Sequence, residues 1–252
     1  MHWIKDRTLK GDRLLGVGAM LGNSMAVELI GRTQFDWVWI DNEHGISGPQ
    51  DLLSQLQAAA IHKMPAIVRL SSNTLENFKK VLDYGAAGVM VPYVNTAEEA
   101  DYAAKCCRFA PAGFRGIATS TRAAQFGLDF DEYIASADEN VLCVVQIETP
   151  EAVENVNEIA AVDGVDCLFV GPMDLSTSLA IPKQFDHPTF IEALEKTLAA
   201  CKKHGKAAGI LPPNREIADK WHKMGFTFLV VGVDGALLAR SLAALQEQFK
   251  DL

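Results

Sequence analysis

WVWIDNEHG, residues 37–45, changes character half-way along. Trp37 to Ile40 are apolar and suited to a strand. Asp41, Glu43 and His44 follow at once. A run that is apolar at every position, and not at alternate ones, predicts a strand covered on both faces, as in a parallel sheet. Its end then delivers two acids and an imidazole to one edge of that sheet.

Seven further runs of the same kind predict strands at 14–18, 66–70, 88–93, 142–148, 167–172, 207–211 and 228–233, with the run above beginning at residue 36. Helical patterns fill the gaps. Asn73 with Glu76, and Thr96 with Glu99, have capping-box spacing. Thr149 precedes Pro150, a residue favoured at the first helical position. Lysines 202 and 203 precede Gly205, as a helix C-terminus favours. Leu238, Leu242, Leu245 and Phe249 form an apolar stripe on the last segment. Eight strand-then-helix units predict a single-domain (β/α)8 barrel over 1–252. The rival, a doubly wound open sheet, calls for a glycine-rich dinucleotide turn after the first strand, which GVGAMLG at 16–22 matches only loosely. The longest irregular stretch, 111–130, is of a length that often carries function.

The chain has 252 residues, 49% of them apolar, and a formal charge of −9. That balance suits an ordinary globular protein and argues against nucleic-acid or membrane-surface partners. Five cysteines with no C-x-x-C pattern argue against a disulfide framework and favour a reducing cytoplasm. The opening MHWIKDRTLKGDRLL is too charged for a leader's apolar core, and no run approaches a membrane span.

In a barrel the C-terminal strand ends form the active face. They carry Asp41, Glu43 and His44, then Arg69, then Gln146 and Glu148, then Gly171, Pro172 and Asp174, then Leu211, then Asp234. Glu148 and Asp174 end consecutive strands. Two adjacent carboxylates repel unless something positive lies between them, and Mg²⁺ or Mn²⁺ suits an all-oxygen donor set. The same acids could instead cap a helix and pair with a base. Arg69 suits a clamp on a substrate carboxylate or enolate oxygen, or an ion pair with Asp41 or Glu43. His44, three residues after Asp41, suits a general base oriented by that acid, or a structural histidine at a loop start. No strand ends in lysine, which counts against Schiff-base chemistry.

FDWVWIDNEHG, IVRL, PAGFRG, VQIET, VDGVDCLFVGPMDLS, GKAAGIL and VVGVD occur in this order. Together they resemble the HpcH/HpaI family of class II, metal-dependent pyruvate aldolases. The resemblance implies a (β/α)8 barrel whose last helix is exchanged between subunits of a hexamer, a trimer of dimers. It implies Glu148 and Asp174 as metal ligands (Mg²⁺ or Mn²⁺, with Co²⁺ or Zn²⁺ as alternatives), Arg69 on the pyruvyl oxygens, and His44 with Asp41 as a catalytic dyad. Gln146, Gly171, Pro172 and Leu211 would line the substrate pocket, and Asp83 would reach a neighbouring subunit's site. The implied reaction is reversible cleavage of a 4-hydroxy-2-oxo acid to pyruvate and an aldehyde through a metal-stabilised enolate. A related lyase acting on a malyl- or citryl-type coenzyme A thioester is the alternative, and a non-catalytic ligand sensor is a third reading. Two departures stand out. Many members carry tryptophan where this chain has Gly18, so a larger or reshaped cavity is expected. Many carry a small residue where this chain has Met173, so a narrower methyl pocket is expected.

Overall fold

The computed structural model describes residues 3–252. Met1 and His2, which open the segment read above as too charged for a leader, lie outside the described residues. Eight parallel strands close into a barrel in simple sequence order: β1 (Leu14–Ala19), β2 (Trp37–Asp41), β3 (Ala66–Arg69), β4 (Gly88–Val91), β5 (Leu142–Ile147), β6 (Cys167–Val170), β7 (Ala207–Ile210) and β8 (Phe228–Val233). Closure through the β1–β8 pairing rules out the open-sheet rival. The helices are α1 (Trp3–Leu9), α2 (Ser24–Gly31), α3 (Pro49–Ile61), α4 (Leu75–Asp83), α5 (Ala97–Cys107), α6 (Phe130–Asn140), α7 (Pro150–Glu154), α8 (Val156–Ala161), α9 (Pro172–Ser178), α10 (Pro188–His204), α11 (Arg215–Met224) and α12 (Asp234–Gln248).

Every strand is buried on two sides because the molecule has two cores. Val38, Ile40, Val68, Val89, Val145 and Val170 face the helices. Trp37, Trp39, Ile67, Met90, Val144, Phe169 and Phe228 fill the barrel. The alternation is real, but both faces are apolar, so the sequence reads as continuous. The inner core has a specific filling on β2. Trp37 stacks on Phe228 with centroids 4.0 Å apart, and a Cβ at Gly16 would lie 2.3 Å from the Trp37 ring. Glycine on β1 is what lets an indole lie across the barrel. Truncating so buried a tryptophan to alanine costs about 3–5 kcal/mol.

Several strands stop earlier than their apolar runs. β4 ends at Val91 because Pro92 has no N–H for the ladder and Tyr93 takes a positive φ of 51°. β5 ends at Ile147 and β6 at Val170, so Glu148 and Gly171 stand just beyond them, at the mouth. Helix starts follow the cap chemistry in two cases: Thr96 and Glu99 form a reciprocal box, and Thr149 Oγ1 accepts the Ala152 N–H. In the third, the cap position falls to Thr74 and not Asn73, and Glu76 pairs with Lys80 on the exposed face instead. α1 has no counterpart in the sequence reading. Its Ile4 is fully buried in the inner core, and Lys5 reaches Asp166 at 3.2 Å and the Val141 carbonyl at 3.0 Å, which closes the end of the barrel opposite the mouth.

Candidate active site

Asp41 is the last residue of β2 and is fully buried. Register places it directly opposite Arg69 at the end of β3. The two meet side on: Arg69 Nε donates to Asp41 Oδ1 at 2.8 Å and Nη2 to Oδ2 at 2.6 Å. Nη1 lies 3.0 Å from Glu43 Oε2. The chain can bring Glu43 back to this position because it turns tightly after β2. Asp41 Oδ1 accepts the Glu43 N–H at 3.0 Å and that of His44 at 3.4 Å. A Cβ at Gly45 would strike the Asp41 carbonyl oxygen at 2.1 Å, so the turn requires glycine. Burial works against the Arg69 charge, but the Asp41 hydrogen bonds and the Asp41, Glu43 and Glu148 charges outweigh it and raise the guanidinium's pKa.

Arg69 thus makes both of the ion pairs that its position in the sequence suggested. His44 is placed differently from the expectation. Asp41 binds its backbone N–H but not its ring. The ring is well exposed, and the carboxylate it faces is Glu43, with Nε2 to Oε2 at 3.9 Å. The structure joins His44 to Asp41 only through the turn, because that carboxylate is already committed to Arg69.

Across the mouth stand Gln146, Glu148 and Asp174. Glu148 is 1% exposed. Its Oε2 accepts the Tyr93 N–H at 3.3 Å, and its Oε1 accepts the Gln146 side-chain amide. Burial, with Asp174 adding to it, pushes the Glu148 carboxyl up to about 7. Burial also raises Glu43, against the pull of Arg69. A Cβ at Gly171 would lie 2.4 Å from Glu148 Oε1, so glycine there is the space in which this carboxylate sits. Gly171 caps α9, Pro172 opens it and Asp174 lies in its first turn, where the helix dipole favours an acid. The Gln146 side-chain oxygen is buried without a partner among the described residues.

The remaining positions divide. Leu211 follows β7 and packs against the inner core. Met173 stands half-exposed at the rim. Asp234 is occupied structurally, accepting the N–H groups of Met20 and Leu21 at 3.0 and 3.2 Å. Asp83 ends α4 on the N-terminal side of β4, away from this mouth. Its carboxylate accepts from the buried Arg115 at 3.1 Å, which anchors the 111–130 stretch.

Gly18 opens no cavity. β1 and β2 are in register with Gly18 opposite Trp39, and the Trp39 ring lies 2.8 Å from where a Cβ at residue 18 would be. Trp39 itself was not singled out from the sequence. The signal was present as matched spacing: Gly16 and Gly18 on β1, Trp37 and Trp39 on β2. Tyr93 was missed too, since its contribution is a backbone N–H.

The family model described as HpcH/HpaI aldolase/citrate lyase matches residues 19–241. The chain is 39% identical over 249 residues to a pyruvate aldolase of Rhizobium etli, covering 99% of this chain and 98% of that one. It is 38% identical over 245 residues to a 4-hydroxy-2-oxo-heptane-1,7-dioate aldolase of Salmonella arizonae, covering 97% and 93%. A crystal structure of an HpcH/HpaI aldolase/citrate lyase family protein from Burkholderia cenocepacia superposes with a TM-score of 0.94 at 34% identity over the full length of both chains.

Proposed function

This chain belongs to the HpcH/HpaI aldolase/citrate lyase family and is a carbon–carbon lyase, and from that premise we propose how its barrel mouth works. The reaction is reversible aldol cleavage of a 4-hydroxy-2-oxo acid to pyruvate and an aldehyde. Full-length similarity to two aldolases, each close to 40% identical, supports this reaction over the thioester-lyase alternative.

The observation that carries the site is the facing pair of charge clusters. On one side Arg69 is held by Asp41 and Glu43. A guanidinium has five N–H groups: two are hydrogen-bonded to Asp41, and a third is engaged through the ion pair of Nη1 with Glu43. Two remain for the substrate's developing oxyanion, in a setting that needs no reorganisation. On the other side Glu148 and Asp174 lie close enough for each to act on the other's charge. Among the described residues no group of three or more His, Cys, Asp and Glu side chains converges as a ready metal centre. The donor set still fits a divalent cation. Burial and Asp174 both oppose the Glu148 charge, a penalty that a bound cation would relieve, and the Gln146 oxygen, unpartnered among the described residues, lies beside it. Two protein ligands also leave positions for water and substrate. Mg²⁺ or Mn²⁺ held by Glu148 and Asp174, with Co²⁺ or Zn²⁺ as alternatives, would supply Lewis-acid stabilisation of the enolate charge.

His44 takes the proton of the C4 hydroxyl, and Glu43 stabilises the imidazolium that results. As the C3–C4 bond breaks, its electron pair moves into the pyruvate enolate, whose oxygen Arg69 receives. The aldehyde leaves towards the open side, where His44 is exposed. The proton held by the His44 imidazolium returns to C3, directly or through water, and completes pyruvate. Gln146, Gly171, Pro172 and Leu211 line the pyruvate side, and Asp83 serves a neighbouring subunit's site.

We place the protein in the cytoplasm as a homohexamer, a trimer of dimers that exchanges α12, with 1–252 as one barrel domain. All five thiols are unpaired, which suits a reducing compartment. No helix among the described residues is long and apolar enough to cross a membrane. No residue of α12 is buried within the single chain.

The test is hydrogen exchange at the pyruvate methyl group, followed by NMR in heavy water with Mg²⁺ or Mn²⁺ and then with chelator. It needs no knowledge of the aldehyde. Metal-dependent exchange is expected. Its absence with every metal would transfer the proposal to the thioester lyase.

A further inference from the structure

The guanidinium of Arg69 is fixed at its edges by two carboxylates, but edges alone leave its plane free to tilt. One face is also occupied. The Trp39 indole lies against it, with Arg69 Cζ 4.5 Å from the ring centroid. That distance is within cation–π range, and tryptophan is the best side chain for this contact. Trp39 is 5% exposed, and its Nε1–H has no hydrogen-bond partner among the described residues, so packing and the guanidinium contact are what hold the indole there. The packing has one permissive neighbour. A single methyl at Gly18 would meet Trp39 Cε3 at 2.8 Å and Val233 Cγ2 at 3.1 Å.

We propose that Trp39 is the positioning residue for Arg69, and that Gly18 is the space that admits it. The two belong to adjacent strands in register, so they act as one unit: a flat ring laid across a bare stretch of β1, presenting its face to the guanidinium above. Asp41 and Glu43 set where the guanidinium's edges lie. Trp39 sets the tilt of its plane, and with it the direction of the two N–H groups left for substrate. The inference rests on Arg69 serving the enolate, as proposed above.

Its test has an arm that requires no catalysis. In a crystal structure of Trp39→Leu, Arg69 is expected to occupy more than one conformer. A single guanidinium in its parental place overturns the proposal whether or not the protein processes pyruvate. Where the parent exchanges the pyruvate methyl protons, kinetics give the second arm. Trp39→Leu should lower kcat for exchange by about tenfold and leave KM for pyruvate within about threefold, the split expected when an interaction made in the transition state is lost. Trp39→Phe, which keeps an aromatic face, should retain most of kcat. Gly18→Ala should reproduce the Leu defect by displacing the indole. The double variant Gly18→Ala/Trp39→Leu should be no worse than its poorer parent, because the two changes remove the same contact. Independent, multiplying losses would overturn the coupling, and an unchanged kcat in Trp39→Leu would overturn the positioning role. If Trp39→Leu does not fold, Trp39→Phe and Gly18→Ala carry the test: a Gly18→Ala enzyme with parental kcat would then sink it.

Discussion

Asp41 and Arg69 stand opposite each other at the ends of β2 and β3 and share two hydrogen bonds, at 2.8 and 2.6 Å, in a setting from which water is almost wholly excluded. A buried charge pair of this kind is costly to break from one side. Asp41→Asn should destabilise the protein by about 3–5 kcal/mol, because it leaves a buried guanidinium short of a counter-charge. Arg69→Lys keeps the charge but loses the planar fork, and should lower pyruvate methyl exchange by roughly 100-fold or more while the barrel stays folded. Thermal melts and exchange rates on the same two variants separate the effects. Near-parental exchange in Arg69→Lys would remove Arg69 from the reaction.

His44 faces Glu43 and not Asp41, and its ring is 61% exposed. His44→Ala should therefore change stability by no more than about 0.5 kcal/mol, as for an ordinary surface substitution. Aldol cleavage should fall by about 100-fold or more, the usual contribution of a general base. Glu43→Gln should produce a smaller loss of cleavage, since it weakens the support of the imidazolium and leaves the base in place. Cleavage at the parental rate in His44→Ala would end its assignment as base, and the proton would then need another acceptor at the mouth.

The order of strands and the polar ring at their ends were legible because the apolar runs of β2, β3, β5 and β8 stop at a charged residue, and a barrel gathers those stops at one face. Arg69 with Asp41 or Glu43 was legible as an alternative for the same reason. What was hidden depends on cross-strand register. Gly18 read alone looks like a hole, and only its position opposite Trp39 shows that the space is filled. The Asp41–His44 pairing was expected from a three-residue spacing, but Arg69 binds both carboxylate oxygens before His44 can compete. The plug formed by α1 was hidden because its seven residues bury one apolar side chain, Ile4, and the polar Thr8, which gives no repeating apolar period to read.

Glu148 ties stability to pH. Its pKa rises from the ordinary 4.5 to about 7 on folding, chiefly through burial and then through Asp174. Between those values the folded chain keeps a proton that the unfolded chain has released. The stability contributed is full at low pH and declines as pH climbs to about 7, by roughly 3 kcal/mol in total. Chelated protein should thus melt at a lower temperature at pH 8 than at pH 5.5, and Glu148→Gln should flatten that slope. Mg²⁺ or Mn²⁺ binds the carboxylate form, so at pH 8 it should raise the melting temperature of the parent and have little effect on Glu148→Gln. A parent melting curve indifferent to metal at pH 8 would remove the cation from between Glu148 and Asp174.

α12 runs for 15 residues, and none of them is buried in the single chain. Leu238, Leu242 and Leu245, with Phe249 just beyond, line one stripe, each at least half-exposed. A contiguous exposed apolar row of that length marks an interaction surface. Burying a leucine or phenylalanine is worth about 1.5–3 kcal/mol, so these four side chains are enough to hold a subunit exchange together. Parent protein should sediment as a hexamer. Leu242→Glu places a carboxylate in the middle of the stripe, where burial without a partner is prohibitive. It should yield smaller species with an unchanged circular dichroism spectrum, since the barrel does not depend on this helix for its core. A parent that sediments as a monomer at micromolar concentration would dismiss the exchange, and the stripe would then need to fold back on its own barrel, which a solution scattering profile more compact than the structure would reveal.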